Sequence, residues 1–585
     1  MPTSFLFQER LALQSRSEAP KLRIGVMVDS LRLPAWIRRI LESIAASTFA
    51  ELSYVIERVS PASPAAAPAP APLRWLGVLQ DPLRRRHLLY DRYLQWDSSR
   101  NAAPGEMDPF QSIDCSDLLD GLPRLRATPL PGKMIHRFSE PDLQKLSDWA
   151  PDVLLRFGFN ILRGPVLQAA RYGVWSFHHG DNDVYRGGPA HFWELVENAP
   201  LTGVLLQVLT EELDGGVVLA KGLVRTEQGI SLVRNRFNPY WLGTLFVTRK
   251  LRELHENGWE YLQKHAVPNR PTASASHIYK RPDNTQICRF VAPRLAGNIG
   301  RRLRRTRVAG DFWRIAVRRS EPVSPSAVLA ESFPAAEFRW LEAPAGHFYA
   351  DPFLLADEEG GLPWIFFEDY NYATRLGELL AARLTATGGM STPISILKRP
   401  SHLSFPHVFR HAGQYWMIPE AASSGVVELL TAPHPAGPWT HCSNLLEEIL
   451  AVDTVVWEEN GHWWMFTCLY GPHRSGPELW LFSAGDLLGP WQAHPANPVS
   501  SSITDCRPGG AVLLSGDRRY RISQDGSRSY GYQLGVHEIV TLDAEHYEER
   551  LVRRVSPSQI HGALGVHTYN QCPGWEVIDG KFPSP

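Results

Sequence analysis

Residues 176–189 read SFHHGDNDVYRGGP, and they mark the point where an apolar segment of the chain turns into a polar loop. The preceding run, Gly173–Phe177, has the length and apolar character of a buried strand. This predicted strand delivers His178 at its carboxyl end. Because open α/β sheets bind their ligands at the carboxyl ends of the strands, the loop lies where chemistry is expected.

The segments upstream predict the sheet to which this strand belongs. Leu22–Asp29 reads as a buried strand, Ala35–Ser47 as a helix and Leu52–Val59 as a second strand. The alternation then continues through Glu140–Trp149 (helix), Val153–Phe157 (strand) and Gly164–Tyr172 (helix). This order predicts a Rossmann-like, mostly parallel α/β sheet. No G-x-G-x-x-G follows the first strand, which argues against the usual mode of dinucleotide binding.

The second half of the chain has a different pattern. Short aromatic and β-branched runs recur between turns, and anchor segments repeat at a spacing of about fifty residues: Asp351, His402–His407, Asp453 and Arg507. Ser443–Ile449 is the one stretch there with helical character. Four such units, and a fifth shared by the segments near Trp313 and Trp575, predict an all-β five-bladed propeller.

We therefore expect four parts: a flexible leader (1–21), an α/β domain (22–270), a basic linker (271–311) and the propeller (312–585). Residues 60–73 are rich in Pro and Ala, which predicts an extended excursion. Residues 289–319 hold ten arginines and one acid. A solvated linker helix is the favoured interpretation of this run, and a weak contact with an anionic surface is the alternative.

Composition excludes several classes of protein. The chain has 585 residues, 44% of them hydrophobic, with a net charge of −1, so no global field draws it to nucleic acid or membrane. Its six cysteines form no Cys-x-x-Cys pair, and no run of 18 apolar residues occurs. We expect a cytoplasmic protein with free thiols.

The first half resembles the folate-dependent formyltransferases. His178, the turn Tyr185-Arg186-Gly187, the strand Thr202-Gly203-Val204 and Asp214 all fall in register with the active-site signature of that family. The family Asn does not, because Ser176 stands in its place. The resemblance covers residues 22–260 and implies 10-formyltetrahydrofolate as the donor, with its pterin near Phe157–Ile161.

The resemblance also implies catalytic roles. His178 and Asp214 match the family's proton-handling pair, and the missing Asn would have donated a hydrogen bond to the oxyanion. Ser176 is a shorter donor, and Asn182 in the same loop is a candidate substitute. Tyr185, Arg186 and Gly187 are expected to bind substrate. The C-terminal barrel of the Met-tRNA enzymes is absent, which argues against initiator tRNA as the acceptor.

A His-His-x-Asp cluster, His178, His179 and Asp181, offers a metal site as an alternative. Ordinary loop polarity is the favoured interpretation, because the sequence shows no second group of ligands. We therefore expect no bound metal.

The second half resembles the propeller at the N-terminus of glucosamine inositolphosphorylceramide transferases and, more loosely, the family-43 glycoside hydrolases. The motifs that carry the resemblance include HFYADPF (347–353), HLSFP (402–406), Ile418-Pro419-Glu420, Val452-Asp453-Thr454 and Arg507-Pro508-Gly509-Gly510. In hydrolases of this shape three carboxylates meet at the central cavity as base, acid and modulator. Asp351, Glu420 and Asp453 are the candidates here, with His402 and Arg507 contacting a sugar hydroxyl or a phosphate. The alternative for Asp351 is structural: an Asp at the start of a blade caps a turn and holds neighbouring blades together.

Three functions follow. The first is N-formylation of an amino sugar in polysaccharide biosynthesis, with the propeller holding the glycan or nucleotide sugar. The second makes the propeller a glycosidase or glycosyl-transfer module and the first domain a degenerate partner. The third is a non-enzymatic glycan-binding protein.

Overall fold

The computed structural model describes residues 5–59, 85–130, 134–212, 215–269, 277–303, 312–320, 326–357 and 360–583, without the side chains of 297–303. The proline-rich excursion predicted at 60–73, Asp214 and residues 304–311 of the predicted arginine run therefore lie outside the described part of the chain. The chain forms two compact units, Met1–Arg305 with Gly471–Gly476, and Thr306–Tyr470 with Pro477–Pro585.

The first unit is an α/β structure. Its helices are α1 (Phe7–Ala12), α2 (Ala35–Ala46), α3 (Leu88–Asn101), α4 (Ser116–Leu119), α5 (Glu140–Trp149), α6 (Phe192–Glu197), α7 (Leu232–His265) and α8 (Asn284–Leu303). Its strands are β1 (Leu22–Val28), β2 (Arg32–Pro34), β3 (Ala50–Arg58), β4 (Ser112–Asp114), β5 (Arg124–Ala127), β6 (Ile135–His136), β7 (Val153–Arg156), β8 (Ile161–Leu162), β9 (Val174–His178), β10 (Arg186–Gly187), β11 (Leu201–Val208), β12 (Val217–Arg225), β13 (Val267–Pro268) and β14 (Ile278–Tyr279).

Eight of these strands form one mixed sheet in the order β13-β12-β11-β9-β7-β1-β3-β5. From β5 to β9 all neighbours are parallel, and from β9 to β13 they are antiparallel. In the central strand β1 only Arg23 is exposed, as expected for a strand covered on both faces. One face packs on α2 and α7, through residues such as Leu155 and Phe177. The sheet confirms the predicted parallel core, and the antiparallel edge makes it mixed.

The first unit continues beyond its predicted end at 270, because α8 of the predicted linker buries Ile287 and Phe290 against Tyr93 of α3. Two further elements of this unit also differ from the sequence-based expectations. The predicted leader contains α1, whose Glu9 carboxylate is buried and pairs with Arg39 at 2.6 Å. The predicted helix Gly164–Tyr172 is reduced to a 3₁₀ turn, Pro165–Gln168, which follows a left-handed Gly164. Neither feature shows in the apolar periodicity, because α1 is held by an ion pair and the 3₁₀ turn is too short to have a periodic face.

No helix among the described residues is both long and apolar enough to cross a bilayer.

The second unit is a five-bladed β-propeller, as predicted. Its strands are β15 (Phe312–Arg319), β16 (Arg339–Leu341), β17 (His347–Leu355), β18 (Trp364–Asn371), β19 (Leu376–Arg383), β20 (Ile394–Leu397), β21 (Ser404–His411), β22 (Gln414–Glu420), β23 (Val426–Ala432), β24 (Thr440–Glu447), β25 (Ala451–Glu459), β26 (His462–Tyr470), β27 (Pro477–Ala484), β28 (Gln492–Ala493), β29 (Arg507–Pro508), β30 (Leu513–Ser515), β31 (Arg518–Asp525), β32 (Gln533–Leu542), β33 (Tyr547–Val555), β34 (Tyr569–Cys572) and β35 (Trp575–Phe582). The predicted helical stretch at Ser443–Ile449 is wrong: it lies largely in β24, where the blade's edge pairing overrides its local helical character.

Blades 1 to 4 are sequential antiparallel sheets, β17–β20, β21–β24, β25–β28 and β29–β33. Blade 5 joins the two ends of the unit, because β15 pairs with β35 from Phe312↔Phe582 to Arg319↔Trp575. This confirms the shared fifth blade. The innermost strands β34, β17, β21, β25 and β29 lie side by side and line the propeller axis.

The innermost strands of blades 1, 2 and 3 share a β-bulge at the same position. The pairing with the next strand shifts between Ala350 and Phe353, between Ser404 and His407, and between Val452 and Val455. The first bulged residue is left-handed in each blade: Asp351 (φ 51°), Phe405 (φ 45°) and Asp453 (φ 52°). A left-handed non-glycine residue is strained, so three repeats of it mark a position where the backbone re-aims a side chain.

Candidate functional site

A row of polar side chains crosses the carboxyl edge of the first unit's sheet. Arg156 of β7 pairs in register with Ser176 of β9, and Ser176 pairs with Gln207 of β11. His178 lies two residues beyond Ser176 and therefore on the same face of β9. The structure thus brings two of the predicted catalytic residues, Ser176 and His178, to one edge of the sheet, as the strand pattern predicted.

Arg156, which the sequence analysis missed, holds Ser176. Its Nε donates to Ser176 Oγ at 2.9 Å, and its Nη1 donates to the carbonyl oxygens of Phe159 and Asn160 at 3.1 and 3.0 Å. Within the described chain no carboxylate forms an ion pair with this guanidinium, and burial lowers the pKa of Arg156. A lone arginine at the end of a predicted strand carries no signal that could have pointed to this contact.

His178 is oriented by the loop that follows it. Its Nε2 donates to the carbonyl oxygen of Tyr185 at 3.2 Å. A Cβ at Gly180 would lie 3.2 Å from His178 Nε2 and 3.7 Å from Glu194 Oε1, so a side chain there would crowd the imidazole. Glu194 is buried, which raises the pKa of its carboxyl to about 8. A protonated acid therefore lies near Gly180, in the loop that orients His178.

The Tyr185-Arg186-Gly187 turn is anchored to the fold. The Tyr185 hydroxyl donates to Glu197 at 2.9 Å, and Arg186 and Gly187 form β10, which pairs with β14. Gly187 has φ 88°, and a Cβ there would lie 2.3 Å from the carbonyl oxygen of Tyr279. These contacts show a structural role for the turn. The substrate-binding role of these three residues stays a prediction.

Asn182 is tied into a buried amide chain. Its Nδ2 donates to Asn269 Oδ1 at 2.6 Å, and Asn269 Nδ2 donates to Gln207 Oε1 at 3.1 Å. The Asn269 backbone also donates to the carbonyl oxygen of Gly216 at 2.9 Å, so the loop that carries Asp214 ends next to Gln207. Asp214 itself lies outside the described residues. The amide of Asn182 is thus engaged by Asn269, not by the His178 edge.

The three residues of the predicted metal alternative do not lie together, because neighbouring side chains point to opposite faces of the sheet. His179 lies on the opposite face of the sheet from His178, stacked on Tyr240 at 3.9 Å, and burial holds the pKa of His179 well below its usual value. Asp181 pairs with Lys221 at 2.6 Å. In the described part of the chain His179 and Asp181 therefore do not converge on a metal. A surface cavity of about 220 Å³ in the same unit, lined in part by Asn101, Glu227 and Arg234, shares no residue with the row.

A second cluster, made of charged groups, lies on the propeller axis. Asp453 accepts hydrogen bonds from Arg507 Nε at 2.7 Å and from Gln524 Nε2 at 2.8 Å. Glu420 Oε2 lies 3.8 Å from Arg507 Nη2, and the Glu420 and Asp453 carboxyl groups share a hydrogen bond. Two carboxyl groups so placed hold one proton. Arg507 keeps the pKa of Asp453 below its ordinary value, whereas burial and the charge of Asp453 raise that of Glu420 well above it.

Asp351 belongs to a second network on the same axis. It accepts from the Thr568 hydroxyl at 2.8 Å, and its Oδ1 lies 3.3 Å from Nε2 of the buried His567. The Nδ1 of His567 lies 2.6 Å from Asp579 Oδ2. Burial raises the pKa of Asp351 to about 6, and the two carboxylates raise that of His567 against its burial. Asp351, His567 and Asp579 have ligand atoms within 4.8 Å of one another, and the raised pKa of His567 favours its protonated form, which does not bind a metal.

The side chain of His402, the remaining candidate of the propeller, is 43% exposed. Its Nδ1 accepts from the backbone of Gly377 at 3.0 Å, so the proton is on Nε2, which faces Glu368 Oε1 at 3.5 Å. Glu368 is buried, and burial raises the pKa of its carboxyl well above the ordinary value.

The structure therefore gathers four predicted substrate-binding residues of the propeller, Asp351, Glu420, Asp453 and Arg507, and places His402 beside Glu368. Their part in binding stays a prediction. Sequence reasoning missed Glu368, His567 and Asp579. Asp579 lies more than two hundred residues from Asp351, and no local pattern links them.

Comparison with known proteins finds a family match within the second unit. Residues 334–564 match the family model described as Glucosamine inositolphosphorylceramide transferase 1, N-terminal. The enzyme of that name from Arabidopsis thaliana is 32% identical over 209 residues, which are 35% of this chain and 27% of the relative. The chain thus matches about a quarter of that relative's length. The methionyl-tRNA formyltransferase of Enterococcus faecalis is 28% identical over 82 residues, 14% of this chain and 26% of that enzyme.

Solved structures match the chain at low similarity. A GH43 β-xylosidase/α-arabinofuranosidase from a compost microbial metagenome covers 40% of this chain and 84% of its own, at 11% identity and a TM-score of 0.32. Glycinamide ribonucleotide transformylase 1 of Symbiobacterium toebii covers 40% and 88%, at 14% identity and a TM-score of 0.26. The propeller is thus similar to the N-terminal region of glucosamine inositolphosphorylceramide transferases, and the similarity of the first unit to formyltransferases is weak.

Proposed function

We propose that the protein is an N-formyltransferase of an amino sugar, with the reaction at the carboxyl edge of the first unit and the sugar-bearing molecule held by the propeller. The observation that carries the proposal is the row Arg156, Ser176 and His178 on one face of the sheet edge. These side chains offer hydrogen-bond donors and no carboxylate. Such a set suits a carbonyl that gains negative charge as an amine attacks it.

The donor implied by the resemblance is 10-formyltetrahydrofolate, which supplies the formyl carbon. Its pterin is expected against the loop Phe157–Ile161, whose carbonyl groups at Phe159 and Asn160 are held by Arg156. In this proposal the amine nitrogen attacks the formyl carbon, and the bond between that carbon and N10 of the folate breaks. His178 stabilises charge at the formyl oxygen, and Asp214 accepts the proton that the amine loses and passes it to N10, so that tetrahydrofolate leaves. In this proposal His178 therefore orients the formyl carbonyl, and Asp214 transfers one proton.

The acceptor is proposed from the second unit. The relatives that match residues 334–564 carry glucosamine, an amino sugar, in their name. The propeller axis presents Asp453 and Arg507 as an ionised pair and Glu420 as a protonated acid, and such groups bind sugar hydroxyls and phosphates through directed hydrogen bonds.

The direct test incubates the full chain with 10-formyltetrahydrofolate and a panel of free and nucleotide-linked amino sugars, and measures the N-formyl product by mass spectrometry. The proposal expects product with at least one acceptor, and a loss of about 10²–10⁴-fold in His178→Ala and Asp214→Ala. His265→Ala, a histidine near the end of α7, is the matched control and keeps full activity. Absence of product with every acceptor overturns the proposal.

A second candidate, glycosidic bond cleavage or transfer at the propeller axis, is favoured by one observation. Glu420 and Asp453 have opposite pKa shifts, the arrangement that a glycosidase uses for its acid and its ionised partner. This candidate expects activity on glycosides that persists in His178→Ala and disappears in Glu420→Gln and Asp351→Asn. A glycan array on which those variants bind like the wild type, without turnover of any glycoside, leaves a binding module.

A further inference from the structure

We propose that Ser176 and Arg156 together replace the family Asn as the hydrogen-bond donor to the formyl oxygen, with Ser176 as the catalytic donor and Arg156 as its positioning residue. The inference rests on the proposed formyl transfer. It answers how a site can keep His178 and the Asp214 loop while it lacks the amide that the resemblance calls for.

The geometry determines the direction of the serine hydroxyl. Ser176 is 1% exposed, and its oxygen accepts from Arg156 Nε at 2.9 Å. A hydroxyl that accepts from a guanidinium must donate its own proton elsewhere. Among the described residues the acceptor at hand is the carbonyl oxygen of Phe177, at a long 3.3 Å. The proton is therefore held weakly and can turn to a stronger acceptor such as an oxyanion.

The electrostatics favour the same role. Arg156 makes no ion pair within the described part of the chain, and its hydrogen bonds go to one hydroxyl and two carbonyl groups. The carboxylate of Asp29 attracts Arg156, but Asp29 is paired with Arg58 at 2.7 Å. A half-buried cation whose charge is only partly compensated stabilises negative charge that develops nearby. Hydrogen bonding to a cation also polarises the Ser176 hydroxyl and strengthens it as a donor.

The register explains why an asparagine does not fit. Arg156 and Ser176 are directly paired on neighbouring parallel strands, and Gln207 pairs with Ser176 from the other side. A longer side chain at 176 has to displace the Arg156 contact in a position that is nearly closed to solvent. The two positions thus belong together: a short residue at 176 leaves room for the guanidinium.

A purely structural role for Arg156 is the competing explanation, since Nη1 also holds the backbone at Phe159 and Asn160. The two roles predict different coupling. If Arg156 acts through Ser176, Arg156→Lys changes kcat only while the serine hydroxyl is present. If Arg156 only holds the loop, its effect is the same with or without that hydroxyl.

The experiment is a double-mutant cycle of Ser176→Ala and Arg156→Lys in the full chain, with Arg171→Lys as the exposed-arginine control. We expect Ser176→Ala to lower kcat about 10²–10³-fold at unchanged KM for the folate donor. Arg156→Lys should lower kcat strongly in the wild type and leave it unchanged within twofold in the Ser176→Ala background. Ser176→Asn should not exceed the wild-type kcat.

Every other result overturns either this inference alone or the proposed function together with it. Equal effects of Arg156→Lys in both backgrounds, an undiminished Ser176→Ala, or a gain in kcat on Ser176→Asn overturns the inference and leaves formyl transfer standing. A wild-type protein that forms no formyl product, although it binds a stable folate analogue in calorimetry, overturns the proposed function and this inference with it.

Discussion

The two units hold their polar groups in opposite ways. At the sheet edge Arg156 forms no ion pair within the described chain and donates its hydrogen bonds to neutral oxygens. On the propeller axis the ionised groups are paired directly, Asp453 with Arg507, and Asp351 and Asp579 with His567. Perturbed pKa values alone therefore do not locate a reaction. A charge without an internal partner is available to a ligand, whereas a balanced network also serves the fold.

The axial networks connect blades that are neighbours around the propeller. Asp453 belongs to β25 of blade 3 and Arg507 to β29 of blade 4. Asp351 of blade 1 contacts Thr568 and Asp579, which belong to the closing blade 5. Asp351 thus bonds the first blade to the last, which is the kind of contact that the structural alternative for this residue expects. These contacts between blades therefore stabilise the closed propeller.

The largest predicted loss of stability follows from removing the guanidinium of Arg507. Arg507→Met removes the counterion of the buried Asp453 and should lower the free energy of unfolding of the propeller by about 3–5 kcal/mol. Scanning calorimetry on the full chain measures it. Arg550→Met, an exposed arginine paired with Glu538, is the control and should change stability by less than about 1 kcal/mol. Equal losses in both variants would show that the axial pair is not special.

The second prediction concerns the pH dependence of stability in the first unit. The folded-state pKa of Glu194 lies near 8, above its ordinary 4.5, so the folded state binds a proton that the unfolded state has lost. Stability should therefore fall as pH rises from 4.5 to 8, by at most about 1.4 kcal/mol per pH unit, and level off above 8. Glu194→Gln should remove this slope. Denaturant unfolding at pH 6, 7 and 8 compares the two proteins, and parallel curves would refute the protonated carboxyl.

A third test separates the two axial acids by their protonation. Asp453→Asn removes the charge that Arg507 and Gln524 bond to and should cost about 2 kcal/mol of stability. Glu420→Gln replaces a carboxyl that already carries a proton and should cost less than about 1 kcal/mol. Thermal unfolding at pH 7 measures both. The reverse order would assign the shared proton to Asp453.

The smallest effect concerns Asn182. Asn182→Ala breaks a buried hydrogen bond to Asn269 and should lower stability by about 1 kcal/mol, with formyl transfer unchanged within a factor of two. Unfolding and product formation are measured on the same preparation. A loss of kcat at normal stability would instead return Asn182 to the role of replacement donor.

Much of the architecture was predictable from local pattern. The bounds of α5, the strand that ends at His178 and the five blades follow from periodicity, because burial on one or both faces imposes a repeat on the sequence. The candidate residues Asp351, Glu420, Asp453 and Arg507 were identified through the resemblance of their motifs to those of known propeller families. Phe405 shows the limit: it occupies the same left-handed bulge as the two aspartates and points to no chemistry by its type.

Most strands, and the position of His178 at the end of one, could be predicted from the sequence, since they depend on neighbours a few residues apart. The partners of the site residues could be identified only in the folded chain. Arg156 reaches Ser176 because β7 and β9 are adjacent and in register, and Thr568 bonds Asp351 across 217 positions of the chain. The physical reason is that hydrogen bonds and charge interactions depend on distance in space, to which hydrophobic periodicity is blind.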